Sequence, residues 1–115
     1  MFGEVKVEYT KDHILGFVRR IMDVELRKEI FEFNNAETRE RFIQHLSPHM
    51  AHLEDDKLID AFVIICDDSN NPDPIVNSNQ FVASVYMKFS DGMFRVLKAT
   101  IARMSIDFED VVGHI

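Results

Sequence analysis

A chain of 115 residues with 46 % apolar residues has room for one domain and one core, burying roughly two-thirds of its unfolded surface. Its net charge of −7 argues against a duplex-DNA binder, because phosphate neutralisation needs clustered cations. One cysteine excludes an internal disulfide and suits intracellular assembly, no apolar run approaches the ~18 residues of a membrane span, and the N-terminus lacks a signal-peptide pattern.

Residues 2–9 alternate charged and apolar side chains with period two. Val5, Val7 and Tyr9 would share one strand face, and Glu4, Lys6 and Glu8 the other. Residues 1–10 are therefore expected as an extended lead-in, either a frayed terminus or an edge strand of this domain, or else an arm pairing with a sheet edge on a neighbouring chain. From residue 11 to residue 31 the period changes. Leu15, Val18, Met22, Leu26 and Ile30 recur at three and four, the spacing of one helical face. Thr10 or Asp12 can cap this helix; Gly16 either weakens its interior or marks its true beginning. Arg19, Arg20, Arg27 and Lys28 lie on or beside its polar side and are the candidates for a docking face.

Asn34-Asn35 interrupts the pattern, and Asn35 can cap a second helix from Ala36 with Phe42, Leu46, Met50 and Leu53 as its apolar stripe. Pro48 lies inside that stripe, which predicts a kink, or a fresh turn capped by Ser47 with Pro48 at its first position. Residues 62–66 form a short apolar strand that stops at the turn formers of 67–74. Residues 81–89 resume as a strand, Asp91-Gly92 makes a two-residue turn, and residues 94–103 run back. Two helices over one face of such a sheet give an α+β layer arrangement. The tail alternates again through Ser105, Ile106, Asp107, Phe108 and Val111, so residues 105–115 are expected as a C-terminal arm. An exposed apolar strand is an aggregation hazard unless paired. Strand-like ends at both termini thus point to β-augmentation between subunits, with Val96, Lys98, Thr100 and Ala102 of the last strand as interface residues beside the arm.

Nothing in the sequence has the arrangement of a catalytic centre, and no enzyme, cofactor or metal is expected. His45, His49 and His52 lie along one helix side, but Pro48 intervenes and no glutamate follows the first histidine as in a zinc protease, so they read as a solvated face. Asp67, Ser69, Asn71 and Asp73 alternate as calcium ligands do, yet Pro72 stands where the glycine belongs and Ser78 at position twelve; they read as turn-satisfying groups. Cys66 beside Asp67 and Asp68 reads as a core cysteine, since acidic neighbours raise a thiol's pKa. The glycines are isolated, which excludes a phosphate loop.

The run 62–72, Phe-Val-Ile-Ile-Cys-Asp-Asp-Ser-Asn-Asn-Pro, followed by Asn79-Gln80-Phe81-Val82-Ala83-Ser84-Val85-Tyr86-Met87-Lys88, resembles the C-terminal, inner domain of contractile-tail sheath proteins of myovirus-type phages, related bacteriocins and injection systems. Val18-Arg19-Arg20 and Phe31-Glu32-Phe33-Asn34-Asn35 are similar to that family's first helix and its helix link. The family continues its second strand with Lys, Pro and a basic residue, where this chain has Lys88-Phe89-Ser90-Asp91-Gly92, so the hairpin is expected to differ.

The resemblance implies a single domain over 1–115: two helices on a small, mainly antiparallel sheet of about three strands, extended by strands exchanged with neighbouring subunits. It implies a virion component, assembled in the host cytoplasm, whose partners are other copies of itself in stacked six-fold rings, the tail tube protein and the baseplate, without direct nucleic-acid contact or membrane insertion. Contraction of the lattice would drive the tube through the host envelope. Arg19, Arg20, Arg27 and Lys28 would face the tube. The alternative is a baseplate or tail-end connector with a sheath-like fold, and a rival outside this class is a metal-dependent enzyme built on the histidine row.

Overall fold

The computed structural model describes residues 10–30 and 32–102. Their order is α1 (Lys11–Arg27), α2 (Ala36–Asp55), β1 (Ala61–Ile65), α3 (Asp73–Asn77), β2 (Gln80–Lys88) and β3 (Phe94–Ala102). Residues 1–9 of the expected lead-in and the whole of the expected C-terminal arm lie outside the described residues.

Thr10 caps α1, its hydroxyl accepting the His13 N–H at 3.2 Å. Gly16 is therefore an interior residue, not the start. The helix also ends before residue 31: the N–H groups of Glu29 and Ile30 reach back three residues, to the carbonyls of Leu26 and Arg27. That tighter turn swings Glu29 inward, where it is buried against Arg41 of α2. The stripe facing the core is Ile14, Val18, Ile21, Met22 and Leu26; Leu15 stands at its side, half-buried.

α2 begins as expected, with the Asn35 side chain accepting the Thr38 N–H at 2.9 Å, and it buries Phe42, Leu46, Met50 and Leu53. Pro48 does not restart it. The Ser47 hydroxyl donates to the Ile43 carbonyl four residues back (2.7 Å), a helix-interior bond, not a cap. The end is sharply defined: Lys57 has φ 60°, its N–H meets the Glu54 carbonyl and the Leu58 N–H that of Leu53. This is the six-to-one closure that usually employs glycine. It delivers Leu58 and Ile59 to the core just before β1.

The sheet is antiparallel in the order β1-β2-β3, with β2 in the middle. Phe81, Ala83, Val85 and Met87 of β2 alternate into the core beneath α1 and α2, and Phe42 meets Phe81 edge-on at 5.9 Å. Helices on one face of a small antiparallel sheet are the expected α+β class.

Two local expectations are corrected. The β2–β3 connection is a three-residue loop, Ser90-Asp91-Gly92, not a two-residue primed turn. Gly92 N–H bonds the Phe89 carbonyl and Phe89 N–H the Met93 carbonyl, both at 2.9 Å, with Gly92 at φ 83°. This is a type I turn closed by a left-handed glycine. Asp91 accepts the Met93 N–H and a bond from Lys11, which ties the turn to the start of α1. The polar segment after β1 is also not all loop: it carries α3, with Pro72 before it and Pro74 in its first turn.

Candidate subunit-interaction edges

The segment after β1 supplies a polar lock that fixes where the sheet ends. Pairing of β1 with β2 stops at Ile65↔Ser84, which leaves Val82 without a strand on that side. The Asn71 side chain takes the strand's place: its Oδ1 accepts the Val82 N–H and its Nδ2 donates to the Val82 carbonyl, both at 2.8 Å. The same amide oxygen accepts from Asn34 Nδ2 (2.9 Å), which also donates to the Gln80 carbonyl (2.8 Å). Arg39 closes the set, with Nη1 on Asn34 Oδ1 (2.8 Å) and Nη2 on Asp68 Oδ1 (2.7 Å). Asn34, Arg39 and Asn71 are all buried, and buried polar groups of this kind are stable only when mutually satisfied.

The loop satisfies itself in the same way. Asp67 Oδ1 accepts the Ser69 N–H (2.9 Å), and Asn70 Nδ2 donates to the Ile65 carbonyl (2.7 Å). The hydroxyl and backbone N–H of Ser69 hold the Asp67 carboxyl below the usual carboxylate range. Cys66 is buried, and burial pushes its thiol up to about 12, with Asp67 adding to the rise. That is an inert thiol, in agreement with a core role. Among the described residues no three acidic, histidine or cysteine side chains are arranged to hold a metal ion.

Between the lock and the hairpin the sheet presents two edges. Among the described residues neither β1 nor β3 has a strand on its outer side. β3 is the longer edge, paired with β2 along all nine residues from Phe94↔Lys88 to Ala102↔Gln80. Val96, Lys98, Thr100 and Ala102 fall together on the face of β3 turned away from α1 and α2, and all four are exposed. Ser105, Ile106, Asp107, Phe108 and Val111 lie outside the described residues.

Arg19, Arg20, Arg27 and Lys28 are all exposed, but they differ in engagement. Arg27 pairs with Asp23 at 3.0 Å and Lys28 with Glu25 at 3.1 Å. Arg19 and Arg20 make no ion pair within the described residues and remain the available cations. His45 and His49 are half-exposed on α2 and approach Glu25 of α1 at 4.0 and 3.5 Å.

Sequence reasoning missed Arg39 and Asn34 as lock residues and Glu25 as a buried carboxylate. A signal for Arg39 was available: Thr38 and Arg39 precede the apolar position Phe42 on the core side of α2, a place where an arginine needs a partner.

The chain is 25 % identical over 101 residues to the tail sheath protein of Vibrio phage KVP40, an alignment that takes in 87 % of this chain. The chain spans 15 % of the length of that curated relative. The similarity supports a relationship to phage tail sheath proteins. No family model and no solved structure matches the chain.

Proposed function

We propose that this chain is a structural, non-enzymatic element of a contractile tail sheath, corresponding to the inner, C-terminal module of a sheath subunit. The observation that carries the reading is the similarity to a sheath protein across 87 % of the chain; the edges of β1 and β3, unpaired among the described residues, support it. Backbone pairing is direction-specific yet tolerant of side chains, which suits subunits that must stay connected while they move. In this reading the arm at 105–115 adds a strand to a neighbour's sheet, with Ser105, Ile106, Asp107, Phe108 and Val111 in the exchanged segment and Val96, Lys98, Thr100 and Ala102 beside it. Copies form stacked six-fold rings around a tail tube above a baseplate, and the assembled extended lattice, not a nucleotide, stores the energy of contraction. Of Arg19, Arg20, Arg27 and Lys28, Arg19 and Arg20 are the ones left to meet the tube, since Arg27 and Lys28 already hold acidic partners.

Deleting residues 105–115 from the subunit tests this. The domain is expected to keep its circular dichroism and melting temperature, while sheath polymers disappear from electron micrographs. Normal sheath built from the shortened subunit would refute the exchange.

A further inference from the structure

The sheet face turned away from α1 and α2 is charged against the trend of the chain. The molecule carries a net charge of −7, yet among the described residues no acid stands on this face. Its charged residues are Lys88 of β2 and Lys98 of β3, both exposed. Between them Val63, Tyr86 and Val96 form one register row across the three strands, and Phe94 stands beside Lys88. These four apolar or aromatic residues are 43 % to 67 % exposed. Toward the other end of the face Val82 and Ser84 are buried, where α3 packs against β2. The open half is therefore an apolar patch rimmed by two cations, a surface that monomers seldom leave bare. It suits an extended segment in which apolar residues and carboxylates alternate.

The chain carries such a segment soon after β3. Residues 106–111 read Ile-Asp-Phe-Glu-Asp-Val, with three carboxylates and no cation. Residues 2–9 alternate as well, but they mix Lys6 with Glu4 and Glu8. Distance favours the C-terminal segment too. Ala102, the last residue of β3, stands on this same face, and the Val96 row lies six residues back along the strand, about 20 Å at the rise of a strand. Thirteen residues follow Ala102, enough for a turn and a return of that length.

We propose that in the unassembled chain residues 106–112 lie on this outer face of their own domain, with apolar side chains over the Val63–Tyr86–Val96 row and carboxylates toward Lys88 and Lys98. The docking takes the face of the sheet and leaves the edges of β1 and β3 open. It therefore withholds the arm, not the edges, until a neighbour's edge offers backbone pairing. The docking is shallow, because the arm must leave this face to assemble, and the domain melts at the same temperature without it. The inference rests on the reading of residues 105–115 as an exchanged arm.

The chain contains no tryptophan, so Phe108→Trp in the whole chain gives a single reporter, read by its emission wavelength at concentrations below assembly. The expected emission is that of a tryptophan on an apolar surface, unchanged on dilution. Lys88→Glu and Val63→Ser are each expected to move it toward the wavelength of the urea-unfolded chain, with the charge reversal shifting the ratio of docked to free arm about tenfold. Arg19→Glu, the same charge change on α1, is expected to leave the emission where it was. Both sheet variants alter exposed side chains, and their melting temperatures check that the fold survives. Solvent-type emission at every concentration overturns the docking, as does emission that either sheet variant leaves unmoved. Emission that turns apolar only as concentration rises assigns the face to a second copy's arm and overturns docking within the chain. Strand exchange is judged separately, by sheath polymers from the full and the shortened subunit, and stands or falls without this result.

Discussion

At the scale of single residues, Asn71 is the side chain on which most depends. Its amide replaces a missing strand at Val82 and holds Asn34. Asn71→Ala is expected to cost about 3 kcal/mol in a urea titration, since buried backbone and amide groups lose their partners at ~1–3 kcal/mol each. Asn71→Asp is expected to be as damaging despite its matching size, because a carboxylate would face the carbonyls of Asp67 and Val82 where Nδ2 now donates. Cys66 makes a pH-dependent contribution with a definite sign. Its thiol ionises near 9 ordinarily and is pushed up to about 12 by burial. Below pH 9 both folded and unfolded states carry the neutral thiol, and the contribution to stability is complete. As pH rises from 9 toward 12 the unfolded chain gains thiolate that the folded one refuses, and the contribution is lost. Cys66→Ala is expected to flatten the decline of stability measured by denaturation across that window.

At the scale of elements, two glycines make opposite demands. Gly16 sits inside α1 with open space where a Cβ would stand, so Gly16→Ala is expected to stabilise by about 1 kcal/mol through helix propensity alone. Gly92 has equally open surroundings but φ +83°, so Gly92→Ala is expected to destabilise by about 1 kcal/mol through backbone strain. Thermal melts of the two variants should move in opposite directions. Open space in both cases means that the backbone angle, not packing, sets the sign. The ends of both long helices show how elements join: the Thr10 and Asn35 caps are local and follow from residue type, whereas the inward turn of Glu29 answers to Arg41, twelve residues later.

At the scale of the whole molecule, among the described residues β2 is paired on both sides and β1 and β3 on one only. Hydrogen–deuterium exchange of the unassembled chain should therefore find the slowest amides in β2. Assembly should slow the amides of β1 and β3 while leaving β2 unchanged. Unchanged edges on assembly would mean that contacts between copies do not involve strand pairing.

The elements with a clear period were legible in the chain itself. The α2 stripe, the Asn35 cap, the three strands and the α+β class follow from side-chain spacing and turn chemistry, which are local properties. The burial of Cys66 was legible too, from an apolar strand followed by acids. The misread places share a cause. The Ser90-Asp91-Gly92 loop differs from a two-residue turn only in its closing bonds: Gly92 N–H meets the Phe89 carbonyl and Met93 N–H the Asp91 carboxylate, where a two-residue turn would pair Met93 with Ser90. The α3 segment is a single turn nucleated by prolines that also read as breakers. The roles of Asn34, Arg39, Asn71 and Glu25 depend on partners 5 to 46 residues away. A polar residue announces that it needs a hydrogen bond, but only the packing of helices on the sheet decides which buried group supplies it, and which oxygen, as at Glu25, is left without one.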